Sequence, residues 1–266
     1  VDGSLREVEW NVALDYVAHA LKDVVAQQGA EQVAALASPQ ATLEELYLVQ
    51  KLVRGLGSGN VDFRPRRRDF SSDGLRAGTP WLGLRLSEIF ELDAALVVGG
   101  FLRKDHPLFA QRLRQLAKKY GGEVSLLAVS GDDPLIKLHE RVTVAPEDLP
   151  RALAALVKAA AELKKVAVPA GVEGVECDAA SRSIAESLLA GNKRAIFLGN
   201  IAEQSPHAAI IHRLALELGR ITGAKVGFVG EAANSVGGYV AKAVPSGLNA
   251  YDMFARDRTR MEPLLH

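Results

Sequence analysis

What this chain has little of bounds it first. One cysteine, Cys177, stands in 266 residues. A lone thiol closes no internal disulfide, and by itself it holds neither an iron–sulfur cluster nor a structural zinc. The fold must therefore rest on a hydrophobic core, and a reducing compartment is expected. Net charge is missing too, because 32 Lys and Arg face 32 Asp and Glu. Proteins dedicated to nucleic acid draw much of their affinity from surplus cations, so no nucleic-acid function is expected. No apolar run reaches the ~20 residues that cross a bilayer, so no direct membrane insertion is expected. The opening VDGSLREVEW has neither an initiator Met nor the apolar stretch of a signal peptide. A fragment of a longer parent is the expectation.

What is present is ordinary for a soluble protein: 48% hydrophobic and 24% charged residues. Trp10, Leu14, Val17, Ala18, Leu21 and Val25 recur at helical spacing, and Gly29 stops that helix. Residues 32–38 read as a short buried strand. Thr42 with Glu45 forms a capping box before a helix whose apolar side is Leu43, Leu46, Tyr47, Val49, Leu52, Val53 and Leu56. Residues 58–80 carry no period. Strands are then expected at 92–100, at 123–130, at the edge position 142–146, at 194–200 and at 224–230. Helices are expected between them. One is a short helix over DDPLIKLHE. Another starts at Pro146, and a third is capped by Ser205 with Pro206 in its first turn. Residues 166–176 read as a linker, and the tail after 230 as mostly loop. Strands alternating with helices predict α/β layers with mainly parallel sheets, in two Rossmann-like lobes.

Few residues suggest chemistry. The six histidines, His19, His106, His139, His207, His212 and His266, offer no i, i+4 metal pair. No nucleophile elbow or P-loop occurs. Cys177 reads as an ordinary small residue. The glycines of GLGSGN follow a helix, the wrong context for a dinucleotide fingerprint. Gly99 and Gly100 do follow a strand and precede a helix, where parallel sheets bind ligands. A bound nucleotide and a plain turn both remain open there. Arg64, Arg66, Arg67 and Arg68 crowd into five residues of the aperiodic segment.

The order of segments resembles the molybdopterin oxidoreductase family, of the dimethyl-sulfoxide-reductase and formate-dehydrogenase type. SPQATLEELYLVQKLVRGLGSGNVD, residues 38–62, looks like that family's helix and the turn into its metal loop. LVVGGFLRKDHPLFAQRLRQLAKKYGGEVSLL, residues 96–127, looks like its strand–turn–helix for one pterin nucleotide arm. It keeps His106-Pro107 but has Gly-Gly-Phe-Leu at 99–102. More narrowly, NVDFRPRRRDFSSDGLRAGTPWLG, FLRKDHPLFAQRLRQ and GEAANSVGGYVAKAVP are similar to the molybdopterin-like region of the large peripheral-arm iron–sulfur subunits of bacterial respiratory complex I.

The resemblance implies α/β lobes of the type of that family's domains II and III, one inserted in the other. Residues 1–62 with 178–266 would form the first lobe and 63–177 the inserted one. In formate-dehydrogenase-like relatives the loop runs Asn-Val-Asp, three residues, Arg, one residue, metal ligand. Here that Arg is Arg66 and the ligand position is Arg68, and a guanidinium is permanently cationic and binds no metal. The implied vestigial pterin-site residues are Gly99, Gly100, His106, Arg66 and Arg68, with no catalytic and no metal-binding residue. The arginines would be held by carboxylates such as Asp62, Asp69 or Asp73, or by an acidic partner surface. Molybdopterin is not expected. The 4Fe-4S and 2Fe-2S clusters would sit in the missing N-terminal part of the parent. Partners would be other peripheral-arm subunits of complex I, at the cytoplasmic face of the bacterial inner membrane. The alternatives are a working molybdopterin-dependent oxidoreductase fragment, a nucleotide-binding α/β module, and a residual anion site at the arginines.

Overall fold

The structure is a computed structural model and describes residue 3 and residues 6–66, 68–73 and 78–245. Arg67 and His266 lie outside the described residues. The chain divides into two units, Val1–Pro65 with Gly237–His266, and Arg66–Val236.

In the first unit, helix α1 (Trp10–Gln28) precedes strand β1 (Ala35–Leu36), helix α2 (Leu43–Gly55) and strand β2 (Val61–Asp62). The two strands pair in parallel, Ala35 with Val61 and Leu36 with Asp62, so α2 is the crossover that parallel pairing requires. Its start follows the sequence signal: the Thr42 side chain accepts from the Glu45 amide, and the Glu45 carboxylate accepts from the Thr42 amide. The core is small: Leu46, Val53, Val61, Phe63, Ala241 and Ala243. Only part of the apolar side read for α2 is inside. Leu43, Tyr47 and Leu52 are exposed. The strand expected over 32–38 shrinks to two residues, because 30–32 coil into a short 3-10 turn. Helix α1 forms as predicted, yet none of its residues is buried, and Trp10 is 79% exposed.

The second unit is built on strands β3 (Ala94–Val98), β4 (Glu123–Ala128), β5 (Glu140–Thr143), β6 (Arg194–Leu198) and β7 (Lys225–Phe228). They form one parallel sheet in the order β5-β4-β3-β6-β7. Side chains alternate between its faces with period two. Ala94, Leu96, Val98, Leu127, Ile196 and Leu198 point to one face. Ala95, Val97, Val124, Leu126, Ala195 and Phe197 point to the other. Both faces are covered, which is why the β3 run has no polar position. Helices α3 (Leu102–Asp105) and α4 (Pro107–Gln115) link β3 to β4. Helices α5 (Leu149–Lys164) and α6 (Ala179–Ala190) link β5 to β6. Helices α7 (Asn200–Gln204) and α8 (Ala208–Thr222) link β6 to β7, and α9 (Ser235–Val240) follows. Parallel pairing and alternating helices make this a mixed α/β fold, as read from the sequence.

Several expectations are corrected. The lobe boundary placed at 178 is not observed, since β6 pairs directly with β3 and residues 178–236 belong to the second unit. The supposed linker is the crossover between α5 and α6. Val172 is buried in the core, and the Lys158 ammonium donates to the Glu173 and Val175 carbonyls. The helix over DDPLIKLHE does not form. Leu135 takes φ 56, and Asp133 Oδ1 accepts from its amide in a tight local turn, which breaks any right-handed helix. Helix α8 begins at Ala208 with His207 as its cap; Ser205 Oγ accepts from the His207 amide one step earlier. The α5 region opens at Pro146 as a 3-10 turn before the α-helix proper. The short helices α7 and α9 carry too few apolar residues to show a period.

Candidate functional site

The strand order reverses at the pair β3 and β6, so the crevice where parallel sheets place ligands lies beyond Val98 and Leu198. Each strand there runs into glycine. Gly99 adopts φ 60, and a Cβ on it would lie 2.7 Å from the Ala202 amide nitrogen. A Cβ on Gly199 would lie 2.5 Å from Gly100 Cα. The Gly99 carbonyl accepts from the amides of Ile201 and Ala202, at 2.9 and 3.3 Å, and the Gly199 amide donates to the Val98 carbonyl. The glycines let two turns of the same chain touch. The recess beside Gly100, lined also by Arg103, Lys104, Ser130 and Arg141, encloses about 20 Å³. That is room for roughly one water and far below a nucleotide.

The loop that opens the second unit is fastened to the same place. The Arg68 guanidinium lies 3.3 Å from Glu231 and 3.8 Å from Glu203. All three side chains are largely buried. Gln204 Nε2 donates to the second Glu231 oxygen at 3.0 Å, and Arg66 donates to Gln204 Oε1 at 3.4 Å. Arg68 Nε is buried with no hydrogen-bond partner among the described residues. Asp69 serves a different end: one oxygen accepts from the Ala209 amide in the first turn of α8, the other from Ser71. Burial alone would raise the Asp69 carboxyl, but the Ser71 and Ala209 hydrogen bonds and nearby His207 outweigh it and hold its pKa below the ordinary value. His106 Nε2 donates to the Gly230 carbonyl at 2.8 Å, next to Glu231. Asn200 donates to Asp105 at 3.2 Å.

The five residues singled out from the sequence in this unit therefore gather around α7 and the turn after β7. Gly99 and Gly100 meet the start of α7, Arg66 and Arg68 meet its end, and His106 meets the turn. Of the carboxylates named as holders of the arginines, Asp62 holds Arg64 in the first unit at 2.8 Å. Asp69 instead caps a helix. Glu203, Gln204 and Glu231 were missed. Each follows a strand's carboxyl end within a few residues, in GNIAEQ and VGE, and that position was the available signal. Among the described residues no group of three or more His, Cys, Asp or Glu side chains is placed to hold a metal ion.

Comparison with known proteins gives the family. The pattern described as Molybdopterin oxidoreductase matches residues 1–256. An NADPH-Fe(3+) oxidoreductase subunit alpha of Geobacter sulfurreducens is 32% identical over 47% of this chain and 15% of its own length. A putative formate dehydrogenase of Staphylococcus haemolyticus is 31% identical over 48% of this chain and 13% of its own. A probable oxidoreductase of Bacillus subtilis is 31% identical over 45% and 12%. The chain thus matches less than a sixth of the length of these relatives. A solved chain of the formyltransferase/hydrolase complex of Methylorubrum extorquens, determined with methylofuran, superposes with TM-score 0.56. That match covers 90% of this chain and 61% of the other at 19% identity, a likeness of fold alone. The residue pattern, the parallel sheet and the family match agree, and the chain belongs to the molybdopterin oxidoreductase family.

Proposed function

We propose that this chain is the molybdopterin-type region of a large iron–sulfur subunit of a respiratory NADH:quinone oxidoreductase, in which the fold serves as scaffold and carries no metal. The observation that supports this most is Arg68. It stands where the loop pattern of formate-dehydrogenase-like relatives places the metal ligand, and it is engaged by two carboxylates. A guanidinium is no metal ligand, and this one is already held by Glu203 and Glu231. The filled contact between Gly99, Gly100, Gly199 and Ala202 does not fit a pterin nucleotide arm either. No chemical step is assigned to this region. Electron transfer from NADH to quinone would run through clusters elsewhere in the parent, and this region would hold neighbouring peripheral-arm subunits at the cytoplasmic membrane face. Among the described residues no helix is long and apolar enough to cross a membrane.

The relatives named as formate dehydrogenase and as NADPH-Fe(3+) oxidoreductase favour a second reading, a fragment of a molybdopterin-dependent, formate-dehydrogenase-like oxidoreductase. Elemental analysis of the intact parent complex separates the two. Iron without stoichiometric molybdenum or tungsten, and no fluorescent pterin on oxidative release, is expected. Either metal at one atom per chain would overturn the scaffold reading.

A further inference from the structure

Helix α4 and the single π-turn that extends it, Leu116–Tyr120, form one continuous element with opposed sides. Phe109, Ala110, Leu113 and Leu116 are buried against the sheet. The outward side is cationic. From His106 to Gly122 there is no Asp or Glu, while Arg112, Arg114, Lys118 and Lys119 all occur. Among the described residues Arg114, Lys118 and Lys119 make no ion pair. The carboxylates of the adjoining 3-10 turn, Leu86–Glu91, are engaged elsewhere: Glu88 by Lys225 and Glu91 by Lys193. In a chain of zero net charge, these three cations, with Arg112 on the same element, form a marked local field.

Two further observations set this face apart from a solvated helix side. Leu108 is 81% exposed near the start of the element and Tyr120 57% exposed at its end. Tyr120 stacks on Phe90 at 5.2 Å, and the Arg112 guanidinium lies 5.3 Å from the Phe90 ring centre. A stack that brings tyrosine and arginine together is the composition that concentrates binding energy at protein interfaces. The π-turn itself is a rare geometry found often at functional positions.

We infer that this face docks an acidic segment of another protein, one that presents Glu or Asp side chains at helical spacing to Arg114, Lys118 and Lys119 and separate apolar residues to Leu108 at one end and Tyr120 at the other. Charge complementarity selects the partner class. An anionic lipid surface is disfavoured, because a helix that lies in a membrane inserts its apolar side, and here that side is in the core. Nucleic acid is disfavoured because the chain as a whole offers no cationic excess. The inference is independent of the metal status of the arginine loop.

The test is fluorescence anisotropy on the full chain with three probes: a labelled amphipathic peptide of Glu and Leu, vesicles of phosphatidylcholine with phosphatidylglycerol, and a short DNA duplex. The peptide is expected to bind at low salt and to weaken as the screening length falls from about 30 to about 8 Å between 0.01 and 0.15 M salt. R114E with K118E should lower its affinity about tenfold or more, with an unchanged circular-dichroism spectrum. L108A should weaken it without altering the salt slope. Charge reversal at Lys22 and Lys51, both in the first unit, should change nothing. Equal peptide binding by R114E/K118E, or binding of vesicles or DNA in preference to the peptide, would overturn the inference.

Discussion

Arg68 and Glu231 form an ion pair 3.3 Å long whose side chains are only 8% and 10% exposed. Removing Arg68 leaves the Glu231 charge without this cation in a poorly solvated place. Arg68→Ala is expected to destabilise the second unit by about 3 kcal/mol, read as a lower midpoint in urea unfolding. The triple change Arg68→Met, Glu203→Gln, Glu231→Gln should recover most of the loss. A single variant as stable as the parent would show that the pair is solvated.

The contact between the β3 and β6 turns makes a steric prediction. Gly199→Ala places a methyl 2.5 Å from Gly100 Cα, and Gly99→Ala adds φ 60 to a 2.7 Å approach. Backbone has little room to yield, so each should cost about 1–3 kcal/mol. Gly131→Ala meets nothing within 4 Å and should be neutral. Thermal midpoints of the three variants, compared side by side, check this.

Acid stability follows from Asp69 and Asp178. Both carboxyls are held below the ordinary value of 3.8: Asp69 by Ser71 and Ala209 against the cost of burial, Asp178 by Ser181, whose amide it accepts at the start of α6. A depressed folded pKa contributes stability above the unfolded pKa and loses it as pH falls through the folded one. Stability is therefore expected to hold to about pH 4 and to drop below it. In Asp69→Asn/Asp178→Asn that acid loss should shrink, which urea midpoints measured from pH 6 down to pH 3 would show.

Cys177 gives a chemical readout. Burial raises its thiol pKa, and the Glu162 carboxylate adds to this; its Sγ donates to the Ala155 carbonyl at 3.3 Å. The thiolate is the reactive form. Alkylation by iodoacetamide at pH 8 should be slower than for a free cysteine and should keep accelerating past pH 9. Denaturant should abolish the difference.

How much was legible in the sequence depended on how local the signal was. The Thr42–Glu45 box is complete within four residues, and the structure shows both of its hydrogen bonds. The unbroken apolar run of β3 announced a strand covered on both faces. The topology was not legible, because adjacency of β3 and β6 joins residues about a hundred positions apart. The Pro- and Gly-rich run 166–176 looks like a boundary by composition but is tied down by Val172 and Lys158. At the candidate site, Arg66, Arg68, Gly99, Gly100 and His106 could be singled out individually. Their common neighbours on α7 could not, since Glu203 and Gln204 become informative only when a distant arginine is seen beside them.

Helix α1 satisfies its own backbone along 19 residues and gives none of its side chains to a core. Most helices in proteins draw their stability from a packed face, and this one has no buried side chain to supply it. Its hydrogen bonds are expected to open turn by turn, so amide protons along 10–28 should exchange at a rate set by a local helix–coil equilibrium. Those of β3 wait for global unfolding. The chain thus has two clocks, and only the second reports on its fold.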